Sequence, residues 1–103
     1  MYDKIKQIAN HYGFTLEADM AVEECSELIQ AICKIRRGWS DDTYSNLKEE
    51  VADVLVVANY LRYFLGEAEI DSIMNYKLDR QLQRIEAEKN EEQGQIHFEK
   101  VGI

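Results

Sequence analysis

The sequence predicts an all-α protein. Its apolar residues recur every three or four positions, which is the spacing of one face of a helix, and no β-rich segment competes with this pattern. The 103 residues include no proline and only 5 glycines, so long helices can run without internal breaks. A chain of this length predicts a single small domain. Its hydrophobic fraction of 46 % is enough for a core, but for a small core if the chain is a single copy.

The first two predicted helices each end at a glycine. One helix covers about residues 3–12 and is followed by Gly13. The next runs from residue 16 or 17 to Arg37 and is followed by Gly38, and glycine is the preferred residue just past a helix end. The apolar residues of this second helix lie on one arc and form its expected core face: Ala18, Ala21, Val22, Cys25, Leu28, Ile29, Ile32 and Ile35.

Two further helices are predicted after a short connection. The third runs from about residue 43 to Leu65, and the fourth covers about residues 69–89. Three residues with short oxygen-bearing side chains precede the third helix and are its candidate N-caps: Ser40, Asp41 and Asp42. The domain is therefore predicted to comprise residues 1–89, with residues 90–103 as a tail that is either disordered or a short extended arm.

The charge balance limits the classes of partner. The chain has 20 acidic and 12 basic residues and a formal net charge of -8, which disfavours nucleic acids and anionic membrane surfaces and favours divalent cations. No apolar run approaches the length of a membrane span, and the first residues lack the apolar core of a signal peptide. We therefore expect a cytoplasmic protein.

Four acids lie near the apolar faces of the two central helices. At 100° per residue, Glu24 falls about 20° from Ile35 at the edge of the core face, and Glu27 follows one turn later. Glu50 falls inside the apolar arc of the third helix, and Asp53 follows it one turn later. Because two helices joined by a short connection pack antiparallel, we expect the two pairs of carboxylates to face each other.

Two explanations of these acids remain open. Taken singly, each is most simply a solvated surface residue beside a gap in the bundle. Taken together, four carboxylates between two helices would repel one another strongly unless a cation neutralised them. An oxygen-only site suits Mg²⁺ or Mn²⁺. His11 and His97 are isolated from other ligands, which counts against a soft-metal site and against a ferritin-like di-iron centre.

The acidic segments resemble the motifs of the MazG-like, all-α nucleoside triphosphate pyrophosphatases. Their pattern is Glu-Glu-x-x-Glu, a gap, and then Glu-x-x-Asp, and the chain has EECSE at 23–27 and EVAD at 50–53. The resemblance covers about residues 16–89, and YKLDRQLQRI at 76–85 is similar to the basic fourth helix of the family. It implies an oligomeric protein with a four-helix bundle core, in which two central antiparallel helices carry the acidic motifs.

The same resemblance implies an activity and a set of site residues. The expected function is a Mg²⁺-dependent hydrolysis of a nucleoside triphosphate to the monophosphate and pyrophosphate, a form of nucleotide house-cleaning, with Mn²⁺ as an alternative ion. By position, the metal ligands are Glu24, Glu27, Glu50 and Asp53. Glu27 is the preferred general base, and Glu23, the first acid of the motif, is the second catalytic candidate.

Further candidates would bind the rest of a nucleotide. Three basic residues are candidates for the phosphates: Lys34, Lys77 and Arg80. Lys34 has the stronger case because it shares a helix face with Glu27. Trp39 is a candidate for stacking on the base. Each of these residues also has a simpler interpretation, as an exposed charge or a packing anchor.

Oligomerisation is expected, and two alternative functions stay open. A single copy would leave apolar surface on the central helices exposed, so a homodimer or homotetramer is expected. One alternative function is a non-enzymatic helical oligomerisation or regulatory protein, whose acids only solvate its surface. The other is a metal-dependent phosphohydrolase that acts on a different phosphorylated compound.

Overall fold

The chain consists of four α-helices in the computed structural model, which describes the backbone of residues 1–100 and the side chains of residues 1–93. The helices are α1 (Tyr2–Tyr12), α2 (Phe14–Arg37), α3 (Asp41–Leu65) and α4 (Glu67–Lys100). The predicted all-α class is confirmed. Within the described residues, no helix is both long enough and apolar enough to cross a membrane.

The helix ends follow the local signals in the sequence. Gly13 and Gly66 end α1 and α3 with φ of 86° and 109°, the left-handed region that favours glycine. Ser40 is the N-cap of α3: its Oγ accepts a hydrogen bond from the Thr43 amide at 3.1 Å, and the Ser40 amide donates to Thr43 Oγ1 at 2.9 Å. This capping box selects one of the three N-cap candidates and starts α3 at Asp41, two residues earlier than predicted.

The chain divides into two units, Met1–Glu67 and Ala68–Ile103, and α2 and α3 form the main helix pair of the first. A connection of only three residues, 38–40, joins the two helices. Glu27 contacts Glu50, and the charge of Glu17, earlier on α2, acts on Tyr60, later on α3. This order of contacts is that of an antiparallel pair, as predicted.

Helix α1 completes the first unit by packing on both central helices. The Tyr63 hydroxyl donates a hydrogen bond to Asn10 Oδ1 at 3.1 Å and links α3 to α1. The main cluster of buried side chains comes from these two helices: Ile5, Ala9, Val57 and Tyr60. The core of this unit is therefore small, as the composition predicts.

The predicted core face of α2 is partly wrong. Helix α2 instead buries Ala31, Ile35 and Glu17, while Val22 is 73 % exposed and Ile29 is 62 % exposed. Of the remaining predicted core residues of α2, two are exposed as well, Cys25 and Ile32. The apolar arc of α2 spans about two fifths of the helix circumference, and α3 covers mainly its edge beside Glu24. Several rotations of such a helix about its axis would bury apolar side chains against a single partner, so the sequence alone does not select one of them.

Helix α4 differs from its prediction in length. It begins at Glu67 and continues to Lys100, so the predicted end near residue 89 is wrong. Glutamate, glutamine, lysine and alanine dominate residues 86–93 and all favour helix, which explains the continuation. The predicted extended arm is also wrong up to residue 100, and residues 101–103 lie outside the described part of the chain. The place of α4 in a four-helix bundle and the assignment of residues 1–89 to one domain stay predictions.

Candidate metal centre

Four carboxylates from α2 and α3 converge on one point. One oxygen each from Glu24, Glu27, Glu50 and Asp53 lies within 4.8 Å of the other three. Each helix contributes two acids spaced three residues apart, so that both point the same way, and the antiparallel pairing brings the two faces together. These are the four acids that the helix projection placed opposite one another.

Two carboxylate oxygens in this cluster receive no hydrogen bond from the described part of the chain. Glu24 Oε2 and Glu50 Oε2 are buried and unpaired, and the side chains of Glu24, Glu27 and Glu50 are all half-buried. Asp53 is exposed and forms the solvent side of the cluster. A buried carboxylate oxygen without a donor is unfavourable, because it has lost its water and gained nothing in return. A bound cation would therefore stabilise the cluster, because it would interact with the oxygens that lack a donor.

Burial and mutual repulsion raise the pKa of two of these acids. Burial is the larger cause for both Glu24 and Glu50, and the nearby negative charges of Glu27 and Asp53 add to it. Glu27 lies close to both Glu24 and Glu50 and acts on the pKa of each, so it lies at the centre of the cluster. In the absence of a cation, the folded protein therefore retains protons here that an unfolded chain would release.

This proton retention predicts a pH dependence of stability. The folded pKa values of Glu24 and Glu50 exceed the ordinary value of 4.5, so their contribution to stability is complete below 4.5 and is lost as the pH rises through the folded values. We therefore expect the melting temperature of the metal-free protein, measured by circular dichroism with a chelator, to fall as the pH rises above 4.5. The double variant Glu24→Gln, Glu50→Gln is the control. Equal pH dependence in the variant and the natural chain would contradict this prediction.

A cavity adjoins the four acids. It has a volume of about 520 Å³ and lies between α1, α2 and α3. Glu24 and Asp53 belong both to its lining and to the acid cluster, so the cavity and the cluster form one continuous site. Its other lining residues are mainly apolar or aromatic: Ile8, Tyr12, Leu16, Glu17, Met20, Val56, Val57 and Tyr60. An apolar cavity with a few polar groups is typical of small-molecule sites.

Glu17 is the polar residue of this cavity that sequence reasoning missed. It is only 4 % exposed, and burial raises the pKa of its carboxyl group. The pKa of Tyr60 is also raised, mainly by burial and then by the charge of Glu17. A signal for Glu17 existed, because a spacing of seven residues places it about 20° from Glu24 on the same helix face. Tyr12 and Tyr60 carried no comparable signal before the helices were packed.

Three other predicted site residues of the first unit lie outside the four-acid cluster. Glu23 is exposed, points away from the cluster and is not one of its members. Lys34 and Trp39 are exposed and do not line the cavity, and the Trp39 ring lies 5.8 Å from the ring of Tyr44. This contact agrees with the simpler interpretation of Trp39 as a packing residue.

The two remaining basic candidates lie on α4. Lys77 and Arg80 are both exposed, and the Arg80 guanidinium lies 5.9 Å from the centre of the Tyr76 ring one turn earlier. A cation over an aromatic face at this distance is a weak local interaction within one helix. The phosphate-binding roles of Lys77 and Arg80 stay predictions.

Sequence and structure comparisons provide no family assignment. The chain was compared with protein-family models, with curated proteins and with solved structures, and none of the three gave a significant match. The resemblance to the MazG-like family therefore depends on the two acidic motifs, and the four-acid cluster is established by geometry alone.

Proposed function

We propose that the protein is a divalent-metal-dependent nucleoside triphosphate pyrophosphohydrolase, which cleaves an NTP or dNTP into the monophosphate and pyrophosphate. The observation that carries this proposal is the convergence of four carboxylates within 4.8 Å, two of which have buried oxygens without donors. The resemblance of EECSE and EVAD to the MazG-like motifs adds the reaction class. The adjoining apolar cavity adds a place for the organic half of a phosphorylated substrate.

The donor set fits Mg²⁺ or Mn²⁺. The cluster offers carboxylate oxygens only, which are the preferred ligands of these hard ions. A cation between Glu24 and Glu50 would also supply the positive partner that their buried Oε2 atoms lack. This chemistry disfavours zinc and other soft ions, which favour sulfur and imidazole ligands.

The four acids would have two different roles in hydrolysis. When bound, the ion would neutralise phosphate charge and make the attacking water more acidic. Glu24, Glu50 and Asp53 would hold the ion. Because Asp53 is exposed, the phosphates of a substrate could approach the ion from the side of Asp53. Glu27, which contacts both Glu24 and Glu50, would accept the proton of the attacking water.

A nucleotide panel tests the proposal. The purified protein is incubated with ribo- and deoxyribonucleoside triphosphates, with Mg²⁺ or with a chelator, and the products are separated by chromatography. We expect monophosphate and pyrophosphate, formed only with the ion present. Release of orthophosphate alone, or no turnover of any nucleotide, would contradict the proposal.

The melting temperature separates the two alternatives. Millimolar Mg²⁺ stabilises a protein that binds it in the folded state, by mass action. Stabilisation by Mg²⁺ without nucleotide turnover would favour a phosphohydrolase with a different phosphorylated substrate. If neither effect is seen, the helical oligomerisation or regulatory protein becomes the better description.

We also propose that the protein is a homodimer or homotetramer. An apolar groove of about 520 Å³, here called the outer groove, lies on the side of α2 away from the four acids. Its lining is almost entirely apolar and includes Phe14, Val22, Cys25, Ile29, Leu61 and Leu65. Large apolar side chains concentrated on one exposed face favour a protein partner, and a second copy of the chain is the simplest one.

A further inference from the structure

The cavity beside the four acids has a second polar end, formed by Glu17. Glu17 precedes Glu24 by two helical turns, about 10 Å along the axis of α2, and both residues line the same cavity. A molecule that extends from the acid cluster through the cavity therefore reaches Glu17. A nucleoside with its phosphates at the cluster is of about this length.

The side chain of Glu17 is largely shielded from water. Among the described side chains of residues 1–93, none donates a hydrogen bond to it, although Glu17 is only 4 % exposed. A carboxylate that is buried in this way is costly unless donors are supplied, because it has lost most of its hydration. Since the carboxylate lines a cavity, a bound molecule can supply the donors.

The walls of the cavity favour a flat ring. Leu16, Met20 and Val57 provide apolar surface, and Tyr12 and Tyr60 provide aromatic surface. Tyr12 is 55 % exposed and has an edge contact with the His11 ring, and its exposed part can stack on a ligand at the mouth of the cavity. A heteroaromatic ring that carries N–H groups satisfies both the walls and Glu17.

We infer that this cavity binds the base of the nucleotide substrate and that Glu17 selects guanine. This inference rests on the proposed function, because a base is present only if the substrate is a nucleotide. The two oxygens of a carboxylate accept two parallel hydrogen bonds. Guanine offers two adjacent donors, N1–H and the 2-amino group, whereas each of the other standard bases places an acceptor beside its donor, which repels a carboxylate.

Guanosine and inosine triphosphates form a matched pair of substrates, because they differ only in the 2-amino group. With Mg²⁺, and at an alkaline pH that favours the ionised form of Glu17, we expect kcat/KM to be about 10- to 100-fold higher for guanosine triphosphate. Glu17→Gln replaces one acceptor oxygen with an amide donor. We expect this variant to reduce the preference to less than about threefold, mainly by slowing hydrolysis of guanosine triphosphate.

Two further variants make this test specific. Asp19→Asn removes the same charge from an exposed position on the same helix, and we expect it to keep the natural preference. Tyr12→Ala removes a half-exposed ring, so the variant retains its fold, and we expect it to raise KM for both nucleotides about tenfold without changing their ratio. An unchanged KM in this variant would place the base elsewhere and overturn the inference.

The failure of this inference is distinguishable from the failure of the proposed function. Equal turnover of the two nucleotides by the natural chain overturns the selection by Glu17 and leaves the hydrolase intact. An equal loss for both nucleotides in Glu17→Gln assigns Glu17 to the fold rather than to the base. If no nucleotide is hydrolysed at all, the proposed function fails, and the inference fails with it.

Discussion

Replacing Glu50 with glutamine is expected to reduce nucleotide hydrolysis by at least about 100-fold and to raise the melting temperature of the metal-free protein. Glutamine has the shape of glutamate but no charge, so the cluster loses a ligand while the packing between α2 and α3 is kept. Glu50 Oε2 is buried without a donor, and the charges of Glu27 and Asp53 repel it. Removing its charge therefore relieves an unfavourable interaction in the metal-free protein.

Glu49→Gln is the matched control for this variant. Glu49 is the preceding residue, is exposed, and is the weakest of the influences that raise the pKa of Glu50. The Glu49→Gln variant loses the same charge outside the four-acid cluster, so we expect it to keep the activity of the natural chain. Activity is measured as pyrophosphate release, and stability by circular dichroism with a chelator.

The two measurements together identify the role of Glu50. In the natural chain, millimolar Mg²⁺ should raise the melting temperature, and in Glu50→Gln this increase should be much smaller. An active Glu50→Gln variant would show that the cluster does not hold an essential ion. A metal-free variant that melts well below the natural chain would instead identify Glu50 as a structural residue.

Replacing Ile29 with glutamate is expected to dissociate the oligomer into single chains. Ile29 is 62 % exposed and lies in the outer groove with Val22, which is 73 % exposed. If a second copy covers this groove, a carboxylate at position 29 is buried in an apolar interface without a partner. We expect dissociation to become at least about 100-fold more favourable, which is the effect of disrupting an interface hot spot.

The oligomeric state is measured by size-exclusion chromatography with light scattering. The natural chain should give a multiple of the 12.0 kDa mass of one chain, and Ile29→Glu should give that mass itself. Gln30→Glu is the control, because Gln30 is exposed next to Ile29 but about 100° around the helix, outside the groove. A natural chain that runs as a single copy at micromolar concentration would contradict the proposed oligomer.

The local signals of this sequence predicted most of the secondary structure. Gly13 and Gly66 end their helices in the conformations that only glycine adopts easily, and Ser40 caps α3 through Thr43. These features depend on a few neighbouring residues, which is why they are visible without a fold. The end of α4 was misjudged because residues beyond Lys89 favour helix without forming an apolar stripe.

The acidic half of the site was also predictable, because its geometry is short-range. A spacing of three residues places Glu24 and Glu27 on one face of α2, and Glu50 and Asp53 on one face of α3, independently of the tertiary structure. The short connection then makes the two helices antiparallel neighbours, and the two pairs meet. The spacing left open how much of the apolar face of α2 is covered by α3.

The start and end signals of α1 to α3 and the spacing within each carboxylate pair can be seen in the sequence, because each depends on residues within a few turns of one another. Which edge of the apolar arc of α2 faces α3 depends instead on how the three helices pack together. That rotation buries Glu17, exposes Val22 and Ile29, and opens a cavity beside the four acids. Hydrophobic burial has no direction, so an apolar arc that covers about two fifths of a helix leaves this choice to the packing of all three helices.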